Sequence, residues 1–234
     1  MLSTFRVKTY TSGMIRKFVV KLSKILSRQG LYPFLENAFA QIPANASVLN
    51  VGAGGEIEGL LRQYASSRSF DVKSLDIDPA RQPDIEGDLS SHDFGGKEFD
   101  VIVLSEVLEH IRTPDSAVNN ALAGLKTGGK LVLTTPFLFP IHDRPHDYYR
   151  FTKYGLSWLL RDYVDVEITP RNSWAEALNV MFVRLIKEKN PVCRFFGPLI
   201  VLLAFIFAPI AMLLGVVFKT DFMTSGYLVT AKKS

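Results

Sequence analysis

The chain has 234 residues, 47% apolar and 21% charged, which excludes a disordered or fibrous polypeptide and fits one domain with appendages. Its single cysteine, Cys193, excludes an intrachain disulfide or a multi-cysteine metal site and suits a reducing compartment. The net charge of +4 hides an asymmetry: Arg6, Lys8, Arg16, Lys17, Lys21, Lys24 and Arg28 all fall within residues 1–30, which carry no acid, so a basic arm precedes a slightly acidic body.

The first 30 residues lack a continuous apolar core and a small-residue cleavage site, so no secretory signal is expected. Residues 14–29 instead predict an amphipathic helix. Ile15, Phe18, Val19, Leu22, Ile25 and Leu26 form one stripe, and the cations lie elsewhere. A second helix is expected over 31–41, ahead of Pro43. A strand at Val48–Val51 then runs into Gly52, Gly54 and Gly55, a turn that lets backbone approach a ligand closely. A helix near 56–66 follows, and a strand at Phe70–Asp76 ends on a carboxylate suited to ribose hydroxyls. Further strands are expected near 83–88 and at Phe99–Leu104. The next helix has Thr113 as N-cap and Pro114 at its first position, and Thr127-Gly128-Gly129 marks its end. Strand 130–135, a loop at 136–152, helix 153–162, strand 164–169 and a final strand near Gly226–Ala231 complete the series. Strands alternating with helices imply a mostly parallel sheet.

Between the last two strands, Phe195–Phe218 holds 24 residues without a charge. Its length could span a bilayer. A single crossing would place the final strand across the membrane from its own sheet. Pro198 and Pro209 divide the segment, which predicts a re-entrant helical hairpin, or helices in the interface, broken near Pro209. With the basic helix, this predicts a protein held on anionic lipid at the cytoplasmic face of a membrane. The alternative is a hydrophobic subdomain or dimer interface. Nucleic acid is not expected as a partner, since the basic arm carries no such motif. The expected parts are therefore 1–42, a basic amphipathic helical region; 43–194 with 219–234, the core; and 195–218, an apolar insertion.

The segments VLNVGAGG, SLDIDP, EGDL, FDVIVLSEVLEHI and LKTGGKLVLTTPF stand in an order that resembles the class I S-adenosylmethionine-dependent methyltransferases, of the type 11-like subgroup, over residues 45–170. The resemblance implies a Rossmann-like α/β fold: a seven-stranded, mostly parallel sheet with an antiparallel last strand, here with an apolar helical insertion before it. It implies S-adenosyl-L-methionine as cofactor. Gly52 and Gly54 would line the methionine moiety, Asp76 would hold the ribose, and Asp88 with Leu89 would meet the adenine. Ser105 and Glu106 would end the fourth strand facing cofactor and substrate. Asn50 stands where the family usually has an acid, and Glu56 where a third glycine is frequent. Ile57 breaks the dinucleotide pattern G-x-G-x-x-G and counts against a nicotinamide cofactor.

The loop PFLFPIHDRPHDYYRFT packs titratable and aromatic residues together. A sugar hydroxyl needs a base, for which His142 and His146 are the candidates, with Asp147 as orienter or alternative base. The opposing reading is a structural loop whose His and Tyr satisfy one another. Two histidines four apart also suggest a metal, but the sequence shows no third ligand, so none is expected. Glu109-His110 is singled out by the resemblance, against a plain helix-start pair. The expected function is methyl transfer at a membrane surface, to an oxygen of a lipid-linked glycan or other polar lipid. The alternatives are a catalytically silent membrane adapter and a soluble small-molecule methyltransferase that dimerises through its apolar segment.

Overall fold

The computed structural model describes residues 17–234. They divide into two compact units. The larger holds residues 31–137, 141–171 and 226–234, and the smaller holds the described part of 1–30 with 138–140 and 172–225.

The larger unit is a seven-stranded sheet in the order β3-β2-β1-β4-β5-β7-β6. Its strands are β1 (Ser47–Val51), β2 (Asp71–Asp76), β3 (Ile85–Glu86), β4 (Phe99–Ser105), β5 (Leu125–Pro136), β6 (Val164–Pro170) and β7 (Gly226–Lys232). Every pairing from β3 through to β5 is parallel, and β7 runs antiparallel to both β5 and β6. This is the sheet that the sequence predicts. Continuous apolar runs such as Val101–Leu104 are buried because helices cover both faces. One face carries Leu49, Ile102, Leu104, Leu131 and Leu133 against Ala117, Val118 and Ala121 of α4 (Pro114–Gly124) and Leu156 of α5 (Lys153–Leu159). The other carries Val48, Val101, Val103 and Val132 against α2 (Leu31–Ala40) and Leu61 of α3 (Gly55–Arg68). Leu35 and Phe39 of α2 are fully buried, so α2 is part of the sheet unit and the boundary expected at residue 42 moves to residue 30.

Helix α4 ends at Gly124, earlier than the glycine pair suggested, because Leu125 already pairs with Phe99. Gly128 (φ 76°) then turns within the long β5, next to a register shift between Phe99 and Val101. Asp84, between β2 and β3, accepts hydrogen bonds from the Ser74 backbone N–H (2.8 Å) and from Arg62 (2.8 Å). Partial burial would raise its pKa, but the Ser74 and Arg62 bonds prevail and hold it below the ordinary carboxylate value. A depressed folded-state pKa gives stability that is present above the unfolded value of 3.8 and is lost as pH falls through the folded one. Asp84→Asn is therefore expected to unfold more easily than the wild type at neutral pH, with the gap closing in acid. Urea titrations at neutral and acidic pH check this.

The smaller unit contains α1 (17–27), α6 (Trp174–Arg184) and α7 (Pro191–Val217). The helix expected at 14–29 is seen from residue 17, and Ile15 and Arg16 lie outside the described residues. Val19 and Leu26 of α1 pack with Val183, Ile186, Val201 and Ala204, while Phe18 and Ile25 remain exposed. The apolar stripe of α1 is thus partly covered within its own unit.

The insertion differs from expectation. It is one 27-residue helix containing Pro198 and Pro209, with no hairpin break inside 195–218. Each proline removes a single N–H, whereas a break would orphan up to four donors and four acceptors at the new helix ends. The hairpin instead comprises α6 and α7, turning through 185–190. Asn179 Nδ2 of α6 donates to the Ala204 carbonyl of α7 (2.9 Å), and Trp174 Nε1 donates to the Phe218 carbonyl (3.1 Å). α6 went unassigned in the sequence, although Ser173 and Glu176 spell a capping box, which the structure forms. Ser173→Ala is expected to lower stability by about 1 kcal/mol in chemical denaturation, the usual cost of losing such a cap.

Candidate active site

Glycine is required where β1 meets α3. Gly52 sits at φ +89°, and a Cβ there would lie 2.7 Å from Val107 Cγ2. Asp76, at the end of β2, locks this turn: its Oδ2 accepts the Ala53 N–H (2.7 Å) and its Oδ1 the Asp78 N–H (2.8 Å). Asn50 is buried, and its amide donates to the Gly52 carbonyl (2.7 Å), bracing the same turn. Glu58 accepts the Gly54 N–H and is held by Arg62 (2.7 Å). Glu56, the acid weighed at the sequence level, is reached by the Tyr32 hydroxyl (2.9 Å).

Beside this turn lies a cavity of about 720 Å³ at the carboxyl ends of the parallel strands, where open α/β sheets take their ligands. Gly52, Asp76, Asp88, Leu89, Glu106 and His146 line it. Asn50, Gly54, Ser105, His142 and Asp147 are not among its lining residues. Ser105 is buried with its hydroxyl on Thr134 (2.7 Å), so it ties β4 to β5. Asp88 accepts the backbone N–H and hydroxyl of Ser90 (2.9 and 2.8 Å).

Glu106 adopts φ 56° just past β4, and its carboxylate meets buried Arg171 and the Thr134 hydroxyl (3.0 Å). Burial would raise its pKa, but Arg171 prevails and lowers it. Arg171, from the end of β6, had no signal in the sequence, because only strand order brings it to β4.

The loop after β5 folds back onto the turn after β4. The N–H groups of Tyr148 and Tyr149 both donate to the Glu109 carbonyl (2.9 and 3.2 Å), and the Tyr149 hydroxyl donates to that of Arg112 (2.9 Å). Within it, His142 Nδ1 faces Asp147 Oδ2 (3.3 Å). Asp147 also accepts from Arg150 (2.6 and 2.7 Å) and from the His142 N–H (2.9 Å). Burial opposes ionisation of Asp147, but these bonds hold its pKa at about 2, which suits an orienter and makes a poor base. His146 pairs with the Tyr148 hydroxyl (2.9 Å). The two candidate histidines are therefore separated: His146 borders the cavity, and His142 meets Glu109, whose Oε1 lies 3.7 Å from His142 Nε2. Burial raises the Glu109 carboxyl, and although burial alone would lower His142, the nearby carboxylates raise it.

Glycines shaped for close approach, a strand-end acid and a cavity within the 300–1,000 Å³ range of cofactor sites fit S-adenosyl-L-methionine. Residues 24–184 match the model of a family described as a methyltransferase domain, and the chain belongs to that family. S-adenosyl-L-methionine is the cofactor of this domain. The ubiquinone biosynthesis O-methyltransferase of Xanthomonas axonopodis pv. citri is 33% identical over 110 residues, 40% of this chain and 44% of that protein. The chain thus aligns with less than half the length of that relative. Among solved structures, a SAM-dependent methyltransferase from Archaeoglobus fulgidus superposes with TM-score 0.55 at 15% identity, covering 91% of this chain and 94% of that one. A Haemonchus contortus phosphoethanolamine N-methyltransferase 2, in complex with phosphomonomethylethanolamine and S-adenosylhomocysteine, superposes with TM-score 0.55 at 14% identity, covering 92% and 56%.

Proposed function

We propose that the protein is a monotopic methyltransferase that O-methylates a lipid-linked glycan or other polar lipid at the cytoplasmic face of a membrane. The carrying observation is the pairing, in one chain, of a methyltransferase cavity with the exposed apolar face of α7. Phe195–Val217 is long and apolar enough to cross a membrane by length and composition, and Phe195, Leu202, Leu203, Ile206 and Leu213 are all exposed. The chain leaves the sheet at β6 and re-enters it at the adjoining β7, so a hairpin dipping into one leaflet returns to the side it left. Lys17, Lys21, Lys24 and Arg28 of the basic arm favour an anionic leaflet. The partial match to an O-methyltransferase supports oxygen as the acceptor atom.

The cofactor's sulfonium supplies an activated methyl group. Gly52 and Asp76 would orient it, Asp88 with Leu89 would hold the adenine, and the Glu106–Arg171 pair would fix one wall. His146 at the cavity wall is the residue placed to take a proton from the acceptor, while the His142–Asp147 pair orders the same loop.

The test is calorimetry with S-adenosylmethionine, followed by incubation of the purified chain with labelled cofactor and a lipid extract. Heat of binding and an organic-soluble, base-stable labelled product are expected. No heat at high cofactor concentration sinks the enzyme reading. Label confined to water-soluble products sinks the lipid acceptor.

A further inference from the structure

Glu109 is fully buried, and among the described residues its Oε1 has no hydrogen-bond partner. An unsatisfied buried carboxylate oxygen is unfavourable unless a proton or a cation completes it. Two imidazole nitrogens face this oxygen: His110 Nε2 at 3.6 Å and His142 Nε2 at 3.7 Å, both too long for hydrogen bonds. One ligand atom from each of the three residues lies within 4.8 Å of the others. Ligands about 2.1 Å from a tetrahedral ion stand roughly 3.4 Å apart, so the Glu109–His distances are near those of a coordinated set.

The opposite nitrogen of each ring is turned away. His110 Nδ1 donates to the His146 carbonyl (2.6 Å), which leaves Nε2 of the neutral ring with its lone pair toward Glu109. His142 Nδ1 faces Asp147 Oδ2 (3.3 Å), and Asp147 is clamped by Arg150. A carbonyl behind one histidine and a carboxylate behind the other are the outer partners that orient metal-bound imidazoles.

We propose that Glu109, His110 and His142 form a site for one divalent transition-metal ion of the zinc class. Two imidazoles and one carboxylate match that class and leave a position open in a tetrahedral shell. The histidine pair that drew attention in the sequence, His142 and His146, is not the pair that converges; His110 takes the second place. His110 also lines the cavity, so the site adjoins the methyl-transfer region.

Resting on the proposed O-methylation, the ion has a defined task. An acceptor hydroxyl taking the open position gives up its proton more readily, and His146 at the cavity wall receives it. Its oxygen lone pair then forms the O–CH3 bond as the S–CH3 bond breaks, and that electron pair moves onto sulfur, leaving a neutral thioether.

The experiment uses the full chain in detergent, stripped with a chelator and titrated with Zn2+ against a chromophoric competitor. One ion per chain is expected. His110→Ala and His142→Ala are each expected to weaken affinity about 100-fold or more, and Glu109→Gln likewise, while Cys193→Ser leaves it unchanged. Circular dichroism verifies that each variant folds. Should one not fold, the Co2+ complex of the unmodified chain decides: two exchangeable, paramagnetically shifted imidazole N–H resonances are expected. Absence of a stoichiometric ion, affinity indifferent to both histidines, or a Co2+ complex without those resonances overturns the proposal. Cofactor binding is measured separately on the stripped chain. Its absence overturns the methyltransferase reading and leaves the zinc titration to decide the metal site alone.

Discussion

Replacing Asp76 by alanine is expected to weaken S-adenosylmethionine binding by about 100-fold or more. Hydrogen bonds to a charged group contribute about 1.5–3 kcal/mol each, and a ribose diol presents two donors, so loss of at least ~3 kcal/mol follows. The same carboxylate receives the Ala53 and Asp78 N–H groups, so its removal also frees the turn that positions Gly52. Arg81, 3.8 Å away, is a donor only and cannot accept the ribose hydroxyls in its place. Asp76→Asn keeps the shape and loses the charge, and should fall between wild type and alanine. Isothermal calorimetry gives the affinities, and urea denaturation shows whether the sheet unit still folds. Wild-type affinity in Asp76→Ala would place the cofactor elsewhere than this strand end.

Two aspartates on α7, at Leu203 and Ile206, are expected to release the protein from phospholipid vesicles. Both positions are more than half exposed, so the substitutions leave the packing of Val201 and Ala204 against α6 intact. An acid at mid-helix opposes bilayer insertion by about 2.5–3.5 kcal/mol, so the pair removes at least ~5 kcal/mol, a partition loss above about a thousandfold. Vesicle flotation measures it. Cofactor affinity should be unchanged, because the glycine turn and Asp76 belong to the other unit. A wild-type chain that stays monodisperse without detergent and ignores vesicles would favour a dimer interface instead.

Local signals carried most of the fold. β1 and β4 are apolar runs that lead into Gly52 and Glu106, β2 ends on Asp76, and Pro114 opens α4 behind Thr113, which makes no side-chain capping bond. The cavity lining was legible wherever one strand end held it, as with Gly52, Asp76 and Asp88. It was illegible wherever two strand ends combine. Ser105 lies opposite Thr134 in the register of β4 and β5, and only that pairing delivers Glu109 and His110 to His142. Arg171 reaches Glu106 for the same reason, across the ends of β5 and β7, an order that sequence spacing does not encode. The prolines misled in another way: breaker residues read singly underestimate a long helix whose remaining backbone groups stay paired.

The position of β7 has a consequence for the timing of synthesis. β5 ends at Pro136 and its partner begins at Gly226, so translation delivers the neighbour some ninety residues late. Until then β5 offers an open edge and β6 has no place in the sheet, a state prone to mispairing. The apolar α6–α7 hairpin leaves the ribosome during that interval, before the sheet can close. A nascent chain whose most apolar segment emerges while its sheet half is unfinished holds that segment exposed until β7 arrives to close the sheet.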